Sequence, residues 1–272
     1  MFAGFGSIKR IERLLIDIKK NVGDNDEATL RDVISEIGEK SDKNARSIKS
    51  YVVNSLKSAE LRNYRQMESL HWLTNGLTTR HRLPPLRGWA SSPDLLLELQ
   101  DFVLSTKPES VVELGSGVST LVIADALRQN GSGKLISLEH SSHYGSKTRL
   151  MLERDNLSGW VDLKIAPLES WEGEHLSDDS EEELYWYSQD CLKDAWDIDL
   201  LLVDGPPAAT CKFSRYPAMP AIVGSLKDGA QVWMDDTTRE EESTICSVWG
   251  EKYGFSVEFV EMEKGLGVLK KK

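Results

Sequence analysis

Along the first 78 residues, apolar positions recur at intervals of three and four. Ile8, Ile11, Leu15, Ile18 and Val22 draw one stripe, the spacing of a helix with a single apolar face. Gly23-Asp24-Asn25-Asp26 interrupts it. A second stripe starts at Leu30, Val33, Ile34 and Ile37, thins through Ser41 and Asn44, and resumes at Ile48, Val52 and Leu56. Heptads are not sustained, so the pattern predicts a helical region with some coiled-coil character. It would be either a hairpin packed on the rest of the chain or an arm that joins copies into a homo-oligomer. No catalytic group is expected in it.

The rhythm changes after residue 78. Arg80-His81-Arg82-Leu83-Pro84-Pro85-Leu86-Arg87-Gly88-Trp89-Ala90 is irregular, and Ser92-Pro93 then opens a helix through Leu95, Leu96, Leu99 and Phe102. Apolar runs of strand length follow at Val111–Leu114, Leu135–Leu138, Val161–Ile165, Ile198–Val203 and Ala230–Met234. Helical stretches separate most of them, around 119–129, 144–155, 217–226 and 239–253. Phe255–Glu261 and Leu266–Leu269, joined by Glu263-Lys264-Gly265, read as a hairpin. The expected fold is α/β: a doubly wound, Rossmann-like, mostly parallel sheet with a C-terminal antiparallel hairpin, preceded by an N-terminal helical extension. The domains would be 1–78 and 79–272. The acidic run Ser177–Glu183 reads as a solvated insertion.

Composition narrows the partners. The 272 residues carry a formal net charge of −11, which disfavours nucleic acid. The basic end Lys270-Lys271-Lys272 is expected to be solvated. Three widely spaced cysteines, Cys191, Cys211 and Cys246, fit neither a disulfide framework nor a zinc knuckle. No run has the length of a membrane span and no signal-peptide core is evident, so a cytoplasmic location without membrane association is the expectation.

The chemistry concentrates where strands end. Residues 111–128, Val-Val-Glu-Leu-Gly-Ser-Gly-Val-Ser-Thr-Leu-Val-Ile-Ala-Asp-Ala-Leu-Arg, run from a strand through Glu113 into a turn bearing Gly115 and Gly117. An amphipathic helix follows, with Ser116 or Ser119 placed to cap it. An acid two residues before the first glycine suits a cationic ligand better than a diphosphate. Glu139-His140 ends the second strand, Ala166-Pro167-Leu168 the third, Asp204-Gly205-Pro206-Pro207 the fourth and Asp235-Asp236 the fifth. In a doubly wound sheet these ends share one crevice. The dinucleotide fingerprint wants a third glycine where Thr120 stands, and no Gly-Lys-Ser/Thr phosphate loop is present.

These segments resemble the successive motifs of class I S-adenosylmethionine-dependent methyltransferases, in particular the catechol-O-methyltransferase-like small-molecule group (the methyltransferase domain family 24 type). The resemblance runs from about residue 80 to the end and leaves the N-terminal helices unexplained. It implies that Glu113 holds the amino group of S-adenosylmethionine, directly or through water. Gly115, Ser116, Gly117 and Ser119 would pass beneath the methionyl part, Glu139 and His140 would meet the ribose, and Ala166, Pro167 and Leu168 would border the adenine. Asp204 would lie near the sulfonium and the acceptor.

The same resemblance implies a catalytic and metal-binding set of Asp204, Asp235 and Asp236, an all-oxygen group suited to magnesium. Some relatives carry a lysine base three residues after the fourth-strand acid; here that residue is Pro207, so either the metal suffices or the base is Lys212, His81 or Asp236. Asp-Gly-Pro-Pro differs from the Asp-Pro-Pro-Tyr of amino-methylating DNA enzymes by its glycine and its missing aromatic. Arg87, Trp89, Trp186, Tyr187, Arg215 and Tyr216 are expected in loops that wall the substrate. The reaction expected is O-methylation of a small-molecule or glycan hydroxyl. The rival from another class is a non-catalytic scaffold acting through its N-terminal helices.

Overall fold

The computed structural model describes residues 27–176 and 183–271. The stripe Ile8–Val22, its break at Gly23–Asp26, most of the acidic run from Ser177, and Lys272 lie outside the described residues. Helix α1 (Glu27–Gly76) carries the second stripe as one element of 50 residues. The thinning at Ser41 and Asn44 is therefore no break; the segment holds no proline, and a helix loses little from a few polar turns. Ile48, Tyr51 and Leu56 on it are exposed. Among the described residues, no helix is long and apolar enough to cross a membrane.

Contacts divide the chain into two compact units at Leu61 and Arg62. Residues 62–78, grouped by sequence with the helical region, thus fall in the α/β unit. Packing explains it: Leu73 is buried with Leu96, Val118 and Val122, and Gln66 Nε2 donates to Asp94 Oδ2 at 2.6 Å.

Helix α2 (Pro93–Thr106) starts after Ser92 as expected, although the serine hydroxyl donates to Asp94 Oδ1 at 2.5 Å instead of accepting from a backbone amide. Strands β1 (Ser110–Leu114), β2 (Lys134–Glu139) and β3 (Val161–Ile165) then alternate with α3 (Val118–Asn130) and α4 (Ser142–Arg154). A short antiparallel pair, β4 (Leu168–Ser170) and β5 (Tyr185–Tyr187), stands where a helix would continue the alternation. Next come β6 (Ile198–Val203), α5 (Ala218–Ile222), β7 (Leu226–Asp235), α6 (Glu240–Tyr253), β8 (Phe255–Val260) and β9 (Leu266–Lys271).

The main sheet has seven strands in the order β3-β2-β1-β6-β7-β9-β8. Pairing is parallel from β3 to β7, and β9 runs antiparallel to both β7 and β8. Alternate residues feed two cores. Val111, Leu200, Leu202 and Trp233 pack toward α2 and α3, whereas Val112, Leu201, Val232 and Met234 pack toward α5 and α6. Each buried Val or Leu among them contributes about 2 kcal/mol relative to exposure.

The chain winds outward through β1, β2 and β3, then returns to place β6 on the other side of β1. That reversal opens the crevice at the carboxyl ends of β1 and β6. Leu114 pairs with Val203, and Asp204 N donates to Leu114 O at 2.9 Å, so the two loops leave the sheet side by side. Gly115 sits there at φ +100°, and a Cβ on it would lie 2.7 Å from the Asp204 carbonyl oxygen. Helix α3 is entered at Gly117; neither Ser116 nor Ser119 caps it, because Thr120 Oγ1 accepts from Gly117 N at 2.9 Å. Gly115→Ala is expected to cost about 2–4 kcal/mol, through the positive φ and the clash together, read as a lower urea midpoint at unchanged slope.

Candidate active site

The strand-end crevice encloses a cavity of about 490 Å³, within the range of small-ligand sites. One wall is the turn Gly115-Ser116-Gly117 with Val118 and Ser119 at the start of α3. Glu139 and His140 come from the end of β2, Tyr144, Lys147 and Thr148 from α4, and Asp204 and Gly205 from the end of β6. The irregular segment between α1 and α2 supplies Arg87, Trp89 and Ser91. Lys264, from the β8–β9 turn, pins that segment by donating to Gly88 O at 3.1 Å and Ala90 O at 3.0 Å.

Glu139 faces the glycine turn. Its Oε2 accepts from Ser116 N at 3.2 Å and Ser116 Oγ at 3.1 Å, and its Oε1 accepts from Ser141 N at 2.8 Å. The Ser116 hydroxyl is also 3.1 Å from Thr148 Oγ1, so it has a second partner if Glu139 turns to a ligand.

Glu113 lies behind this wall and does not line the cavity. Its Oε2 accepts from Thr120 Oγ1 and from Ser137 Oγ, both at 2.6 Å. Thr120 in turn holds Gly117 N, so Glu113 braces the turn from below. Its Oε1 is buried with no partner. Burial pushes the carboxyl up to about 7, opposed by the nearby hydroxyls of Ser119, Ser137 and Thr120.

Asp204, Asp235 and Asp236 do converge, with one oxygen from each within 4.8 Å of the others. Arg215, on the segment before α5, is already among them. Its Nη2 lies 2.8 Å from Asp236 Oδ2 and 3.3 Å from Asp204 Oδ1, and its Nη1 donates to Asp235 O at 2.9 Å. Arg239 Nη1 adds a contact to Asp236 Oδ2 at 3.0 Å. Burial raises Asp204 to about 6, with Arg215 pulling it down and Asp236 pushing it up; burial also raises Asp235 well above the usual carboxylate range. Magnesium at this cluster would stand beside a buried guanidinium that already satisfies two of its three carboxylates. The residues present do not fit that ion.

Several site residues lie elsewhere than expected. Trp186 and Tyr187 belong to β5, not a loop; Trp186 is core, while Tyr187 reaches the cavity. Tyr216 is also core, hydrogen-bonded to Glu174, and Arg215 is sealed among acids, so neither walls the substrate. Ala166, Pro167 and Leu168 are off the cavity wall, where Ala166 N and Pro167 O serve backbone hydrogen bonds to Glu139 O and Ser188 N. His81 is bound to Asp155 at 2.8 Å, and neither it nor Lys212 lines the cavity. Tyr144, Lys147, Thr148 and Ser91 line it without a sequence signal beyond their place on α4 or near a strand end.

Residues 112–237 match a family model described as a methyltransferase domain. Over that span, a little under half of its length, the chain is similar to that domain family. Its sheet has a Rossmann-like topology with an antiparallel hairpin at one edge. A comparison with curated proteins found no match. Among solved structures, the domain is similar to the O-methyltransferase from Bacillus cereus in complex with SAH, at 17% identity and TM-score 0.51, covering 76% of this chain and 90% of that one. It is similar to cofactor-bound Rv0187 from MTB, at 15% identity and TM-score 0.53, with 75% and 88% covered. The O-methyltransferase TomG from Streptomyces achromogenes, in complex with SAM, gives 16% identity and TM-score 0.50, with 78% and 96% covered. At these identities the likeness establishes the fold.

The Glu113 brace makes the stability of the fold depend on pH. The folded carboxyl keeps its proton up to about pH 7, whereas an exposed one loses it near 4.5. Folded protein therefore binds more protons across that window, and stability falls as pH rises through it, levelling off above. The term is about 3 kcal/mol. Urea denaturation of Glu113→Gln is expected to show a shallower loss than wild type between about pH 5 and about pH 8.

Proposed function

We propose that this methyltransferase domain moves a methyl group from S-adenosylmethionine to a hydroxyl of a small molecule or glycan. The observation that carries the reading is Glu139, whose carboxylate closes over the glycine turn from across the cavity. It takes the Ser116 amide that a pyrophosphate would need at the start of α3. With Glu139 and Asp204 on its walls, the cavity offers carboxylates where a diphosphate would need free amides.

Glu139 has the position and the paired oxygens to accept both hydroxyls of a ribose, with Ser116 Oγ handed over to Thr148. Gly117 lies where an added Cβ would meet nothing within 4 Å, so backbone passes close beneath the ligand without contact from a side chain. When bound, S-adenosylmethionine supplies an activated methyl on a sulfonium, so positioning accounts for most of the catalysis. Asp204, at the floor beside Gly115, presents Oδ2 to the acceptor and is placed to receive its proton; Ser91 Oγ, 3.3 Å away, steadies that oxygen.

The acceptor enters over aromatic and cationic groups. Trp89 and Tyr144 have ring centroids 6.0 Å apart, and Lys147 Nζ stands 5.2 Å from the Tyr144 ring. With Arg87 on the same wall, this mouth suits a sugar or aromatic ring bearing negative charge.

Calorimetry with S-adenosylhomocysteine tests the reading. Wild type is expected to bind, and Glu139→Ala to bind at least about tenfold more weakly. Gly117→Ala is expected to cost the fold no more than about 1 kcal/mol, as an N-cap change, while also weakening binding about tenfold. No binding by wild type, or full affinity in Glu139→Ala, rejects the proposal.

A further inference from the structure

We infer that the guanidinium of Arg215 holds the place of a divalent cation at the carboxyl ends of β6 and β7, so that this domain works without magnesium. The inference deepens the transfer reading, because it concerns the same crevice, but its first measurement needs no turnover.

Three carboxylates approach one another as an oxygen-ligated ion would require, with Asp204, Asp235 and Asp236 each placing an oxygen within 4.8 Å of the others. Like charges so close, with little water, demand a counter-charge. Arg215 provides it from inside: only 4% of its side chain is exposed. Nη2 contacts Asp236 at 2.8 Å and Asp204 at 3.3 Å, and Nη1 is fixed on the Asp235 carbonyl. A fourth acid, Glu242, lies 3.8 Å from Nε and is itself buried.

The arginine is not a surface group that has folded inward. Its neighbours Ser214 and Tyr216 are buried on either side, which anchors the backbone and leaves the side chain no short route to water. Arg239 and Lys264 reinforce the arrangement at Asp236, at 3.0 Å and 4.0 Å. Magnesium binds oxygens at about 2.0–2.1 Å and gives up its water reluctantly, so it would have to strip Asp204 and Asp236 from the guanidinium. That exchange leaves Arg215 buried, unpaired and next to a dication. The planar fork instead fixes the directions of Asp204 and Asp236 continuously, which makes Arg215 a positioning residue for the strand-end acid.

Manganese, visible by electron paramagnetic resonance, probes the cluster in the full chain. Wild type is expected to bind no Mn²⁺ up to about 1 mM. Arg215→Gln, which keeps length and removes charge, is expected to gain a Mn²⁺ site at least about tenfold tighter, and to melt higher when the ion is added. Arg215→Lys, which keeps the charge, is expected to gain none. Circular dichroism checks folding, and Arg215→Met substitutes for the glutamine variant if that one does not fold. Methyl transfer by wild type is expected to survive exhaustive chelation. Mn²⁺ binding by wild type that Asp204→Asn abolishes, a folded Arg215→Gln or Arg215→Met that gains no site, or activity lost on chelation, each overturns the inference. A wild type that fails to bind S-adenosylhomocysteine strikes the transfer reading alone and leaves the manganese result interpretable.

Discussion

The contact between Gly115 and the Asp204 carbonyl is the constraint on which the site depends. A side chain at 115 would separate the ends of β1 and β6, and with them the glycine turn and the strand-end acid. Bare backbone lets two loops from opposite sides of the winding reversal touch. The cavity forms over that touch, with Glu139 and Asp204 on adjoining walls and the glycine turn between them. Fold and chemistry are thus joined at one residue that has no side chain.

Around it, the domain stores acids where water is scarce. Glu113, Glu139, Asp204, Asp235, Asp236 and Glu242 all sit near the strand ends with little or no exposure. Each is settled differently. Glu113 is held by hydroxyls and by a raised affinity for its proton, Glu139 by backbone amides and Ser116, and the remaining four by Arg215 with its cationic neighbours. The internal arginine keeps the repulsion among those acids from opening the sheet.

Much of this was legible in the chain. Strand-length apolar runs with helices between them led to the parallel sheet and its edge hairpin, and the acids at strand ends led to the crevice. What periodicity could not reveal was which polar residues face inward. Arg215-Tyr216 and Trp186-Tyr187 have the composition of a substrate loop, yet the β4–β5 pair turns Trp186 into core, and the buried acids draw Arg215 inside. Long-range partners decide such cases, and no local pattern encodes a guanidinium that pairs with carboxylates 11 and 21 positions away. Glu113 shows the same limit in reverse: its place before the glycines was evident, but its service to Thr120 and Ser137 depends on β2 and α3 folding over it.

Lys264 gives the cavity's roof a particular ownership. The segment from Arg87 to Ala90 is tied to the β8–β9 turn through the Lys264 ammonium and the Arg87–Glu263 pair at 2.8 Å, so the antiparallel edge of the sheet holds it down. The cavity's outer wall is therefore set by a hairpin that supplies none of its lining residues. Fraying of that edge would release Arg87 and Trp89 from the wall while leaving Glu139 and Asp204 in place.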